Sequence, residues 1–144
     1  MAITQAIANS FKKELLEGEH NFKASGGDVF KLALYSSVAT LNSATTSYTT
    51  TAEVGDSGDY VAGGGTLVNA GTSITAGVAR VDFDNLSFTG VTLTARGALI
   101  YNTSATNKAV AVLDFTSDKV STDGTFTIIF PAFTTSAAIL RISG

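Results

Sequence analysis

The chain has 144 residues and 14.8 kDa, a length suited to one domain, 1–144, which at this size buries roughly 70% of its unfolded surface. Nine Lys and Arg stand against twelve Asp and Glu, giving a net charge of −3 and a pI of 4.9, so the chain is a poor electrostatic partner for nucleic acid. The absence of cysteine excludes disulfides, thiol chemistry and thiolate metal sites, and no apolar run approaches the ~20 residues of a membrane span.

Charged residues are only 15% of the chain and mean hydropathy is +0.27, against roughly 25% charge in average soluble domains. Thr (21) and Ser (14) fill part of this polar deficit. The remainder implies surface covered by other copies of the chain, and a homo-oligomer is expected.

Residues 3–17 predict one amphipathic helix within an N-terminal segment 1–18. Ile3, Ile7, Phe11 and Leu15 recur every four residues. Thr4 is a suitable N-cap and Gly18 a suitable stop. The start lacks a basic segment followed by an apolar one, so it does not read as a secretory signal. The stripe packs on the domain's own sheet or docks on a neighbouring subunit; in the second case Ile3, Ile7 and Phe11 are the contacts. His20, between Glu19 and Asn21, reads as a solvated side chain in a connector.

Residues 29–35 alternate, with Phe30, Leu32 and Leu34 facing one way and Lys31 the other, and predict a half-buried strand. Residues 36–77 are dominated by small polar residues. They predict long loops, with short strands at 66–69 and 73–75, and loops of this length are usually functional or mobile. If they form a recognition surface for carbohydrate or a host receptor, Tyr48 and Tyr60 are the contact residues. The glycines Gly63, Gly64 and Gly65 lack the following Lys of a phosphate loop. The segment from Asp56 to Asp59 lacks the ligand spacing of a calcium loop and reads as a turn.

Residues 78–144 form the regular region, with strands expected at 79–83, 86–88, 91–101, 108–115, 125–130 and 138–142. Six small polar residues, 102–107, separate two runs that are apolar on both faces, 94–101 and 108–115. That is a hairpin, and it is covered on both sides. Thr122, Asp123 and Gly124 signal a turn, and Pro131 ends a strand. Short strands at this spacing define a mainly β chain, an antiparallel β-sandwich or barrel with one N-terminal amphipathic helix.

Little in the sequence points to chemistry. A Ser-His-Asp set would have to use His20, and no nucleophile elbow is present. Asp82, Asp84 and Asp114 lie nearest the apolar strands, but the sequence does not show that they meet. They read as a solvated face or as partners for Arg80 or Arg96. Arg96 sits between Ala95 and Gly97 in an apolar run, and an unpaired buried charge costs several kcal/mol. A structural ion pair is expected, with Asp114 first and Asp82 second, unless Arg96 points into a subunit interface. No catalytic, cofactor or metal set is expected, and the chain reads as non-enzymatic.

The layout resembles small virion structural proteins of tailed bacteriophages. The resemblance is carried by residues 1–18, the strand from Phe30 to Tyr35, residues 95–102, residues 109–115 and the terminal Ile139, Leu140, Arg141 and Ile142. These are packing and hairpin segments and supply no site pattern. The resemblance implies a virion location after assembly in the bacterial host cytoplasm. It implies a head decoration (cement) protein first and a portal-proximal adaptor, tail or fibre-base protein second. It also implies partnership with other virion proteins, and its trimer or ring is that of decoration proteins.

Overall fold

A computed structural model describes residues 2–143. Met1, counted in the predicted helical segment 1–18, and Gly144, the last residue of the predicted domain, lie outside them. In chain order the elements are β1 (Ala6–Ile7), α1 (Asn9–Leu16), β2 (Phe30–Tyr35), β3 (Gly65–Thr66), β4 (Asn69–Thr75), β5 (Val78–Phe83), β6 (Leu86–Asn102), β7 (Lys108–Ile128) and β8 (Leu140–Ile142). Every strand pairing is antiparallel. A five-stranded sheet runs β1-β7-β6-β2-β3 and a three-stranded sheet runs β4-β5-β8. The chain is thus mainly β and sandwich-like, with one α-helix near its N-terminus.

An aromatic seam joins the two sheets. Phe22 stacks on Phe30 of β2 with ring centroids 4.4 Å apart. Phe30 leans on Phe83 of β5 at 5.7 Å, and Phe83 on Phe130 at 5.5 Å. All four rings are buried. Full burial of a side chain of this size contributes about 1.5–3 kcal/mol.

The central hairpin forms as its composition requires. Tyr101 pairs with Ala109 and Asn102 with Lys108 across a loop that contains a 3₁₀ turn at Thr103–Ala105. Residues 98–101 and 109–112 are buried on both faces. Both strands run further than the composition suggests, because bulges rather than turns interrupt them. The expected turn at Thr122, Asp123 and Gly124 is one of these. Ser121 still pairs with Leu93 and Gly124 with Val91, while Asp123 alone takes a left-handed φ of 45°.

A second bulge bends β7 back on itself. Gly97 pairs with Asp114, but Ala95 pairs with Lys119, so residues 115–118 loop out. Thr116 has φ 67°, and its N–H donates to Asp114 Oδ1 at 2.8 Å. Phe115 and Phe126 lie on one strand, yet their rings are 6.2 Å apart. A straight strand rising about 3.3 Å per residue would hold them more than 30 Å apart.

The N-terminal segment departs from expectation. Only Asn9–Leu16 is helical; Ile3 bridges Leu41, and Ala6 and Ile7 pair with Val112 and Ala111 of β7. A spacing of four fits both the helical period and twice the strand period, so the stripe does not discriminate. Pairing with the hairpin decides for extended backbone. Ala8, with φ −60° and ψ 135° and no side-chain cap, stands where Thr4 was expected, while Gly18 closes the helix end with φ 78°.

Candidate functional site

All four tyrosines of the chain gather around one carboxylate. Residues 36–64 contain no strand or helix, and this cluster pins them to the sheet. Tyr48 donates its hydroxyl to Glu53 Oε1 at 2.6 Å. Tyr60 donates to Glu53 Oε2 at 2.6 Å, and the Gly63 N–H donates to the same oxygen at 2.7 Å. Tyr101 donates to the Gly63 carbonyl at 2.5 Å, and Tyr35 to the Thr49 carbonyl at 2.6 Å. Tyr48 stacks on Tyr101 at 4.7 Å. Burial, reinforced by the Glu53 charge, pushes all four phenols up, Tyr101 to about 12. Tyr60 is fully buried. As a contact residue for an external ligand it is therefore corrected: it is a core residue, and its hydroxyl is occupied on both sides.

His20 is likewise buried rather than solvated. Its ring packs on Phe11 at 4.8 Å and lies near Phe22 and Phe30. Asn102, fully buried, accepts the Ser104 N–H on its side-chain oxygen at 2.9 Å. Its amide nitrogen therefore faces His20 Nδ1 at 3.0 Å and Asp28 Oδ2 at 2.8 Å. A donor at Nδ1 places the imidazole proton on Nε2, which donates to Glu14 Oε1 at 3.0 Å. The network ties the helix, the connector and the hairpin loop together. No sequence spacing announces it.

The predicted ion pair changes partner. The Arg96 guanidinium lies 3.6 Å from Asp118, not Asp114, and both side chains are substantially exposed. The bulge explains the difference, because the looped-out residues carry Asp118 round to Arg96. Asp114 instead accepts the Thr116 N–H, and its own N–H is bonded by Gln5. Asp82 does not pair with Arg96 or Arg80. It is buried, accepts the Phe83 N–H on Oδ1 at 2.9 Å, and has Oδ2 buried without a hydrogen bond. Burial pushes its carboxyl up, against the Phe83 and Ile139 amides. The segment from Asp56 to Asp59 is a turn, closed by a bridge between Ser57 and Tyr60. Among the described residues no group of three or more His, Asp or Glu is placed to hold a metal ion.

Of the expected subunit contacts, Ile3 and Phe11 are buried within the chain and Ile7 is exposed. Phe11 forms part of a larger feature, an open cleft of about 730 Å³ between α1 and the three-stranded sheet. Phe11, Leu15 and Leu16 line one wall, and Val81, Leu140 and Ile142 line the other. Lys12 and Lys23 border it, while Arg80 and Arg141 pair with each other on the sheet face opposite to Val81, Leu140 and Ile142.

Comparison with protein-family models, curated proteins and solved structures finds no match. The class of the chain is accordingly that of its fold: a mainly β, two-sheet antiparallel protein with one helix near the N-terminus. No helix among the described residues is long and apolar enough to cross a membrane.

Proposed function

We propose that this chain is a non-enzymatic structural subunit of a tailed-phage virion, a capsid decoration protein that closes into a homo-oligomeric trimer or ring. A portal-proximal adaptor, tail or fibre-base position is the second reading. The virion context rests on the resemblance of residues 1–18, 30–35, 95–102, 109–115 and 139–142. The best-placed carboxylates serve internal bonding: Glu53 holds tyrosines, and Asp28 holds Asn21 and Asn102.

The observation that supports assembly is a long unpaired strand edge. Beyond the looped-out residues 115–118, β7 is bonded to β6 on one side, and among the described residues no strand joins its other edge. Val120 is 68% exposed there and Ile129, just past the strand end, 76%. In the other sheet β4 is an edge strand of seven residues, with Ile74 70% exposed. Free edges with aliphatic flanks recruit other strands. The β7 edge of one copy meeting the β4 edge of the next is a head-to-tail contact, which generates a ring when the rotation closes.

Light scattering at micromolar concentration tests this. The wild-type chain should be a closed oligomer, and Val120→Lys and Ile74→Lys should each release monomers. A wild-type monomer, or an oligomer indifferent to both changes, would end the assembly reading; sensitivity to Val120→Lys alone would replace the ring by a two-fold β7–β7 dimer. The virion assignment has its own check: the chain should occur in purified particles at a fixed ratio to the major shell protein.

A further inference from the structure

We infer that a groove beside the free edge of β7 receives the β4–β5 hairpin tip of a second copy as an added strand, with Ile74 of that copy seated in the groove. The inference rests on the assembly reading above and supplies the socket and the occupant of its contact.

The socket is defined by its lining. The groove has a volume of about 620 Å³. Residues 125–131 line it without a break, and so do residues 119–121. One face of a strand presents only alternate residues, so the groove follows the edge of β7 and its continuation and meets the backbone there. Among the described residues no strand pairs with that edge. The N–H and C=O groups directed away from β6 therefore have no ladder partner in this stretch. A row of this kind calls for an extended occupant, because an extended backbone satisfies it in register. Val120 and Ile129 are exposed along the groove, and Leu113, Phe115 and Ile139 also line it. The occupant therefore brings an aliphatic side chain as well as a strand edge.

The chain itself carries a segment of that description. Thr75 pairs with Val78 across a two-residue turn, Ala76 and Gly77, whose φ values of 52° and 79° are both left-handed. The hairpin tip is thus only two strands wide. Ile74 stands exposed on its outer strand. Edge strands that stay single are guarded by charges, proline or bulges. Residues 69–79 contain no charged residue and no proline, and the bulge of β4 lies at its far end, between Asn69 and Gly71. Residues 72–75 are therefore an unguarded edge. An uncharged tip also suits copies that each carry net −3 and repel one another at charged contacts. The groove is neutral in turn, since Asp114 and Lys119 are its only charged residues. A neutral, aliphatic strand edge and a neutral, aliphatic groove along an unpaired edge are complementary.

The chain has no cysteine, so single variants report the contact directly. Ile74→Cys, produced together with Val120→Cys or with Ile129→Cys and oxidised, should form a disulfide between copies with at least one of them, while each variant alone should not cross-link. In light scattering, Ile74→Ala should move the oligomer–monomer midpoint to roughly tenfold higher concentration. Ile142→Ala, which shortens an exposed aliphatic side chain of β8, should leave it in place. Hydrogen exchange of the wild-type chain needs no variant: amides in 72–78 and 119–129 should slow together as concentration rises through the midpoint. An oligomer that forms without the cross-link and without protection of 72–78 would overturn the groove assignment and leave the assembly reading standing. A chain that is monomeric at every concentration would remove both. Cross-linking of Val120→Cys with itself would put a second β7 edge in the groove and overturn the hairpin tip as its occupant.

Discussion

The Tyr60 hydroxyl sits between β2 and Glu53: it accepts the Leu34 N–H at 2.8 Å and donates to the Glu53 carboxylate at 2.6 Å. Leu34 belongs to the central sheet, while Glu53 and Tyr60 belong to the irregular segment 36–64. One buried oxygen thus joins the loops to the sheet. Removing it leaves a buried backbone donor without an acceptor. Tyr60→Phe should destabilise the fold by about 1–3 kcal/mol, the cost of orphaning such a group. Urea unfolding of the two proteins measures it, and a difference below about 0.5 kcal/mol would show that water replaces the hydroxyl.

The loops are therefore ordered by a polar core that composition conceals. Tyr48 and Tyr60 stand among small polar residues, which is also how exposed recognition loops look. Glu53 gave no periodic signal, because a single residue that binds several partners has no period. The same holds for His20, whose Asn102 partner is 82 positions away. What the sequence carried plainly was local and repetitive: the Phe30–Tyr35 strand, the hairpin around residues 102–107 and the mainly β class. The N-terminal stripe was ambiguous because a spacing of four serves helix and strand alike. The Asp114 assignment failed for another reason. Pairing across a hairpin can be counted from its loop only until the first bulge, and residues 115–118 intervene.

That bulge sets the expectation for Arg96. Its pair with Asp118 is long at 3.6 Å, with the two side chains 38% and 50% exposed. Exposed pairs contribute about 0–1 kcal/mol. Arg96→Met should therefore shift unfolding free energy by less than about 1 kcal/mol, and Asp118→Asn should match it. A loss several times larger would mean that Arg96 meets a further partner, and an accompanying change of oligomer mass would place that partner on a neighbouring copy.

Asp82 predicts a pH dependence with a definite sign. Its folded-state pKa is raised above the ordinary 3.8, chiefly by burial. Between those two values the folded chain holds more protons than the unfolded one, so stability falls as pH rises through that window. Other carboxylates act oppositely, among them Asp59, which bonds to Thr89 draw below its usual value. The comparison that isolates Asp82 is wild type against Asp82→Asn. On acidification from neutral pH, wild type should gain stability relative to the variant, the gain levelling off below 3.8. Denaturant midpoints at a series of pH values check this, and parallel curves would show that the Asp82 carboxyl is solvated.

The tyrosine cluster makes the opposite end of the pH scale informative. All four phenols are raised above their ordinary 10, first by burial and then by the nearby Glu53 carboxylate, with Tyr101 at about 12. A group raised in the folded state contributes stability in full below its unfolded value and loses it as pH rises through the folded one. The fold should therefore weaken from pH 10 upward, with each exposed phenol pulling the equilibrium toward the unfolded chain. Because no tyrosine lies outside the cluster and the chain has no tryptophan, tyrosinate absorbance reports on this site alone. It should rise in one steep step together with the loss of sheet signal in circular dichroism. Glu53→Gln removes the charge that opposes ionisation, although it also replaces an acceptor oxygen by a donor nitrogen. The variant should ionise its tyrosines at lower pH and unfold with them. A gradual tyrosinate rise near the ordinary phenol value, with the sheet signal intact, would mean that the four hydroxyls are open to solvent and that Glu53 does not hold the loops.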